Sequence, residues 1–147
     1  MRKRNKTYEL VREFLRKYPI WQQSLIIEKF LVDDEEVTYA FTAQENDNPL
    51  DIITTCVVAL TNKRILIARK RVLWGYFYHS ITPDMFNDIE VKMGLIWGKI
   101  YIDTIKEKVM LSNLDRNALP EVEEEVSETV MRLKKEYSLT MKSGMKQ

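Results

Sequence analysis

Residues 56–68, Cys-Val-Val-Ala-Leu-Thr-Asn-Lys-Arg-Ile-Leu-Ile-Ala, constrain the fold more than any other stretch. Two apolar, β-branched runs flank a tight polar turn centred on Asn62-Lys63. Asn tolerates the left-handed backbone that a two-residue hairpin turn asks for, so the pattern predicts an antiparallel hairpin. That hairpin fixes a β-rich core in mid-chain. It names no reaction.

The flanking sequence extends the core. Val37, Tyr39 and Phe41 alternate with Thr38, Ala40 and Thr42, the period of a half-buried strand. Further strands are expected at about 53–60, 64–69, 76–81, 87–93, 96–103 and 108–111, with turns at Trp74-Gly75, Thr82-Pro83-Asp84 and Lys106-Glu107. Short strands this closely spaced predict a meander closing into a barrel or sandwich rather than βαβ units. A long helix follows. Asp115 or Asn117 can cap it, Pro120 suits its first turn, and Leu119, Val122, Val126, Val130, Leu133 and Tyr137 form one apolar stripe. Its acids (Glu121, Glu123, Glu124, Glu125) precede its bases (Arg132, Lys134, Lys135), as the helix dipole favours. Upstream, 7–18 and about 21–31 read as short amphipathic helices separated by Pro19, each too short to be stable without packing on something. The expected organisation is an N-terminal helical extension over 1–32, one domain over 33–137 and a flexible tail over 138–147.

Composition narrows the class. The chain has 147 residues, 45% apolar and 31% charged, which is ordinary for a globular domain and argues against disorder. Its apolar runs are too short to span a bilayer, and charge at Glu9, Arg12 and Glu13 breaks up any secretory signal. The expected location is cytoplasmic, with peripheral membrane contact as a variant. The net charge of +1 gives no overall pull toward nucleic acid or membrane. Charge is nevertheless segregated. Residues 1–20 carry seven bases against two acids, residues 21–53 one base against eight acids, and residues 54–85 five bases against one acid.

About seven strands closed by one C-terminal helix is the layout of the pleckstrin-homology superfold. The stretch Leu60-Thr61-Asn62-Lys63-Arg64-Ile65-Leu66-Ile67, the acidic lead-in Asp33-Asp34-Glu35-Glu36-Val37, and Ile81 to Ile89 followed by a glycine, an apolar strand and a final helix resemble the bacterial pleckstrin-homology-like domains of the YokE-like type. The resemblance covers roughly 30–137. It implies a mainly β, seven-stranded, partly open barrel capped by a helix, and implies a fold more than an activity. Lipid-binding members of the superfold bring Lys and Arg to inositol phosphates from the loop between the first two strands. Here that loop, 44–51, has three acids and no base, so phosphoinositide binding is not carried over.

Candidate chemistry is sparse. One Cys (Cys56) and one His (His79) give no metal-ligand spacing, and a Cys56–His79 nucleophilic pair is outweighed by the core character of the run around Cys56. No glycine-rich phosphate loop is present; Gly94 and Gly98 read as a turn and a strand bend. No catalytic residue, metal, cofactor or small-molecule substrate is expected. Lys63, Arg64, Arg69, Lys70 and Arg71, beside an aromatic stretch, form a candidate anionic-ligand surface. Arg2, Lys3, Arg4 and Lys6 with Phe14, Tyr18 and Trp21 form a candidate interaction arm. The leading expectation is a non-enzymatic binding module acting through a protein partner or self-association. The alternative is a peripheral module on an anionic lipid surface; nucleic acid is disfavoured.

Overall fold

The computed structural model describes residues 27–46, 55–70, 75–94 and 97–145. A one-turn helix, α1 (Ile27–Phe30), leads into β1 (Val37–Gln44), β2 (Thr55–Thr61), β3 (Ile65–Lys70) and β4 (Tyr76–Ile81). A 3-10 turn over Pro83–Met85 leads into β5 (Phe86–Met93), β6 (Trp97–Thr104) and β7 (Lys108–Asp115), and the chain then enters α2 (Leu119–Met145). The strands are ordered β4-β3-β2-β1-β7-β6-β5, every neighbour antiparallel. The result is a seven-stranded half-barrel with one C-terminal helix, mainly β and pleckstrin-homology-like.

The hairpin has the expected register, Leu60 opposite Ile65, with Asn62-Lys63 at the turn. Its backbone departs from expectation. Among described non-glycine residues, positive φ occurs at Asp34 and Asn113, not at Asn62. Thr61 holds the turn instead. Its hydroxyl oxygen accepts the N–H groups of Lys63 (3.1 Å) and Arg64 (3.0 Å), while the Thr61 N–H donates to the Arg64 carbonyl (3.0 Å). Thr104 repeats the device between β6 and β7, accepting from Lys106 and Glu107. Asn62 is used for its side chain: its amide donates to the Asp34 carbonyl and its oxygen accepts the Glu36 N–H.

Two bulges shift what the sequence alternation predicts. At Thr38 the register slips, so Tyr39, Phe41 and Ala43 face the barrel interior while Val37 joins the outer face. Asn113, in left-handed backbone, forms a second irregularity opposite Lys99, and β7 runs through it to Asp115 rather than ending at Leu111. β2 is buried on both faces. Cys56, Val58 and Leu60 point inward; Val57 and Ala59 form an outer layer with Val37, Ala40, Leu66 and Ala68. β6 keeps strict alternation.

The α2 stripe packs into the barrel as expected through Leu119, Val122, Val126, Val130 and Leu133, joined by Thr129. Tyr137 is exposed, and the helix continues past the boundary drawn at residue 137 to Met145. Gly98 is a point of close approach rather than only a bend: a Cβ there would lie 2.4 Å from Leu119 Cδ2. Gly98→Ala is expected to lower stability by about 1–3 kcal/mol in denaturant melts. Adding Leu119→Ala should cost less than the sum of the two single changes, because both act on one contact.

Candidate functional site

The basic hairpin edge is built around a buried acid that sequence inspection treated only as part of a polar lead-in. Glu35 is 0% exposed. The Asp33-Asp34 turn, with Asp34 at φ 62°, folds the chain back so that the Glu35 carboxylate lies under the hairpin turn. Arg64 clamps it with two bonds, Nε to Oε1 (3.0 Å) and Nη2 to Oε2 (3.1 Å). Thr61 Oγ1 donates to Oε1 (2.8 Å) and the Val32 N–H to Oε2 (3.0 Å). Two further Arg64 hydrogens reach the Phe30 carbonyl (2.7 Å) and Ser80 Oγ (3.0 Å). One guanidinium therefore ties α1, the acidic lead-in and β4 together. Phe30 completes the joint by stacking on Tyr78 at 4.0 Å.

Burial acts to raise the Glu35 pKa, but the hydrogen bonds from Arg64, Val32 and Thr61, with the Arg64 charge, outweigh it and hold the carboxyl below the usual carboxylate range. Arg64 is correspondingly held charged, first by its hydrogen bond to Glu35.

The other described candidate cations, Lys63 and Arg69, are also engaged. Lys63 Nζ donates to the Asp33 carbonyl (2.9 Å). Arg69 pairs with Glu45 and lies 4.0 Å above the Phe77 ring. Glu45 belongs to the acidic loop that sequence inspection judged hostile to phosphate; here it supplies the partner of a candidate phosphate ligand. The Lys70 side chain and Arg71 lie outside the described residues. So does the whole candidate arm of Arg2, Lys3, Arg4, Lys6, Phe14, Tyr18 and Trp21. The structure thus joins Lys63 and Arg64 in one network with the lead-in and ties Arg69 separately to the β1–β2 loop.

Cys56 and His79 do not form a pair. Burial pushes the Cys56 thiol up, keeping it protonated, and β3 lies between its strand and that of His79. His79 Nδ1 instead lies 3.5 Å from Glu107 Oε1, where the β6–β7 turn meets β4. The Ile105 N–H donates to the Met85 carbonyl at the same seam.

α2 provides surface features that sequence inspection did not mark. Tyr39 OH donates to Glu121 Oε1 (3.2 Å), and burial, then the Glu121 charge, push its pKa up to about 12. A half-open cleft of about 320 Å³ lies between β1 and α2, lined by Thr38, Glu125, Glu128, Thr129 and Arg132. Burial, then the charges of Glu128, Glu121 and Glu124, raise the Glu125 pKa. On its side away from the barrel α2 exposes Met131, and past the last buried residue, Leu133, it exposes Tyr137, Leu139, Met141 and Met145. On the far sheet, Lys92 and Lys108 flank the Tyr101 ring, each within 3.5 Å of a Glu90 oxygen. Among the described residues no cluster of His, Cys, Asp and Glu could hold a metal, and no helix is long and apolar enough to cross a membrane.

This architecture, a seven-stranded half-barrel plugged by a C-terminal helix, defines the pleckstrin-homology class. The family model described as bacterial PH domain matches residues 31–128, and the chain belongs to that family. Among solved structures it is similar to a DUF1696-family protein with a pleckstrin-homology domain from Shewanella loihica (15% identity, TM-score 0.50, covering 78% of this chain and 92% of that one). It is also similar to a pleckstrin homology domain from Shewanella amazonensis (14% identity, TM-score 0.51, covering 78% and 97%). At these identities the likeness concerns the fold. No curated protein matches the sequence.

Glu35→Gln is expected to destabilise the domain by about 3–5 kcal/mol, because it breaks a buried pair and strands the Arg64 charge. Glu35 has a lowered folded pKa, so its contribution is fully present above the unfolded value near 4.5 and lost as pH falls through the folded value. The gap in urea midpoint between wild type and Glu35→Gln should therefore be constant from neutral pH down to about 5 and narrow below it.

Proposed function

We propose that this bacterial pleckstrin-homology domain is a non-enzymatic module that works by protein–protein contact, with self-association as its form. The observation that carries this reading is α2 itself. Its last turns run free of the barrel with large apolar side chains exposed, Met145 at 83% and Leu139 at 57%. Such residues favour a protein partner over solvent.

The disposition of charge supports the same choice. A lipid-binding surface needs cations free to meet phosphates. Arg64 and Arg69 each have a carboxylate partner, and Lys63 caps a backbone carbonyl. Catalysis finds equally little support, since Cys56 is buried and protonated and His79 faces Glu107.

Light-scattering mass on a size-exclusion column is the test. A mass above the 17.5 kDa monomer that rises with protein concentration is expected. Phosphatidylserine vesicles should leave the protein in the supernatant. A monomer at every concentration that pellets with those vesicles, and is released by salt, would replace this proposal with the anionic-lipid one.

A further inference from the structure

The solvent face of α2 carries a stripe separate from the one that packs into the barrel. It runs through Glu121, Glu124 and Glu128, passes Met131 and Arg132, and continues through Lys135, Leu139 and Lys142. These positions recur at three- and four-residue intervals and so share one side of the helix. All but the half-exposed Arg132 are exposed, Met131 at 72%.

The stripe is a palindrome in charge. Measured from the midpoint between Met131 and Arg132, Glu128 stands as far on one side as Lys135 on the other, and Glu121 as far as Lys142. Glu124 mirrors Leu139 in the same way. Within one chain Glu128 and Lys135 are two turns apart, about 10.5 Å along the axis. A second copy laid antiparallel brings Glu128 opposite Lys135 and Glu121 opposite Lys142, with Glu124 opposite Leu139, whereas a parallel copy stacks like on like.

We propose that this face of α2 binds the same face of a second copy, forming an antiparallel homodimer whose two-fold axis passes between Met131 and Arg132. The inference rests on the self-association reading above and names its surface. A two-fold interface requires a self-complementary patch, and the palindrome is one. Glu128 and Lys135 form two symmetric cross-pairs, and Glu121 with Lys142 form two more. Arg132 already reaches Glu136 on its own helix (3.9 Å), which leaves its aliphatic stem to pack beside the Met131 of the second copy. Burial first, and then the crowding of Glu128, Glu121 and Glu124, raise the Glu125 pKa, and incoming lysines relieve that crowding. The helix dipoles also oppose. Exposed ion pairs are weak and screened by salt, so the dimer is concentration-dependent and salt-sensitive.

Sedimentation velocity on the full chain tests this. Dimer is expected at about 0.02 M salt, with association weakened about tenfold or more at about 0.5 M. Glu128→Lys alone, which sets like charges against each other at both cross-pairs, should weaken association at least as much at low salt. Glu128→Lys with Lys135→Glu should restore it. Both positions are exposed and lie off the buried stripe, so folding is preserved. Met131→Cys should form a disulfide-linked dimer under mild oxidation. Leu139→Cys should not, because its two copies would lie about 22 Å apart along the axis. The native Cys56 is buried and does not compete. Unchanged self-association in Glu128→Lys would overturn this interface while leaving self-association standing. Failure of the double variant to recover, or equal cross-linking at both cysteines, would overturn the antiparallel register. A monomer at every concentration would overturn both proposals.

Discussion

The Glu35–Arg64 pair is the joint on which the N-terminal part of the described fold depends. A carboxylate removed from water is expensive, and it is tolerated here because four donors converge on its two oxygens. Those donors come from Val32 in the lead-in, Thr61 at the end of β2, and Arg64 just before β3. The pair therefore fixes where the chain enters β1, and with it the way α1 lies against β3 and β4. The same guanidinium holds the Phe30 carbonyl, so the stack of Phe30 on Tyr78 follows from this electrostatic anchor.

That anchor also decides what the basic edge can do. Arginines beside aromatics look like an anion site as long as their partners are unknown. With Arg64 held by Glu35 and Arg69 by Glu45, these two arginines are part of the scaffold. Among the described residues, the inner stripe of α2 is consumed by the barrel, whereas its outer and C-terminal faces are not. One element thus closes the core and carries the surface proposed for self-association, and Gly98 sets its height by letting Leu119 descend onto β6.

Much of this fold was legible from local pattern. The hairpin register, the alternation of β6 and the buried stripe of α2 follow from periodicity, and the seven-stranded layout from the family resemblance. What escaped was set by contacts distant in sequence or by single-residue geometry. The Thr38 bulge moves Val37 to the other face, which no alternation rule foresees. The last strand was drawn only to Leu111, but Asn113 in left-handed backbone forms a bulge through which β7 continues to Asp115. Asn62 was noticed for its backbone tolerance and turned out to act through its amide. At the candidate site the cations were visible, but Glu35 lies 29 residues from Arg64 and Glu45 lies 24 from Arg69, so only tertiary structure unites them.

The double-sided burial of β2 has a consequence for how the chain comes together. A strand with Cys56, Val58 and Leu60 on one face and Val57 and Ala59 on the other has no side that water can accept. As the chain leaves the ribosome, residues 55–61 emerge well before α2, which covers the inner face. During that interval the segment is a short, uncharged, β-prone sequence of the kind that pairs with its neighbours on other chains. Thr61 and the polar turn that follows act as its guard. By folding β3 back against β2 within microseconds, a local hairpin occupies one strand edge long before the barrel can close.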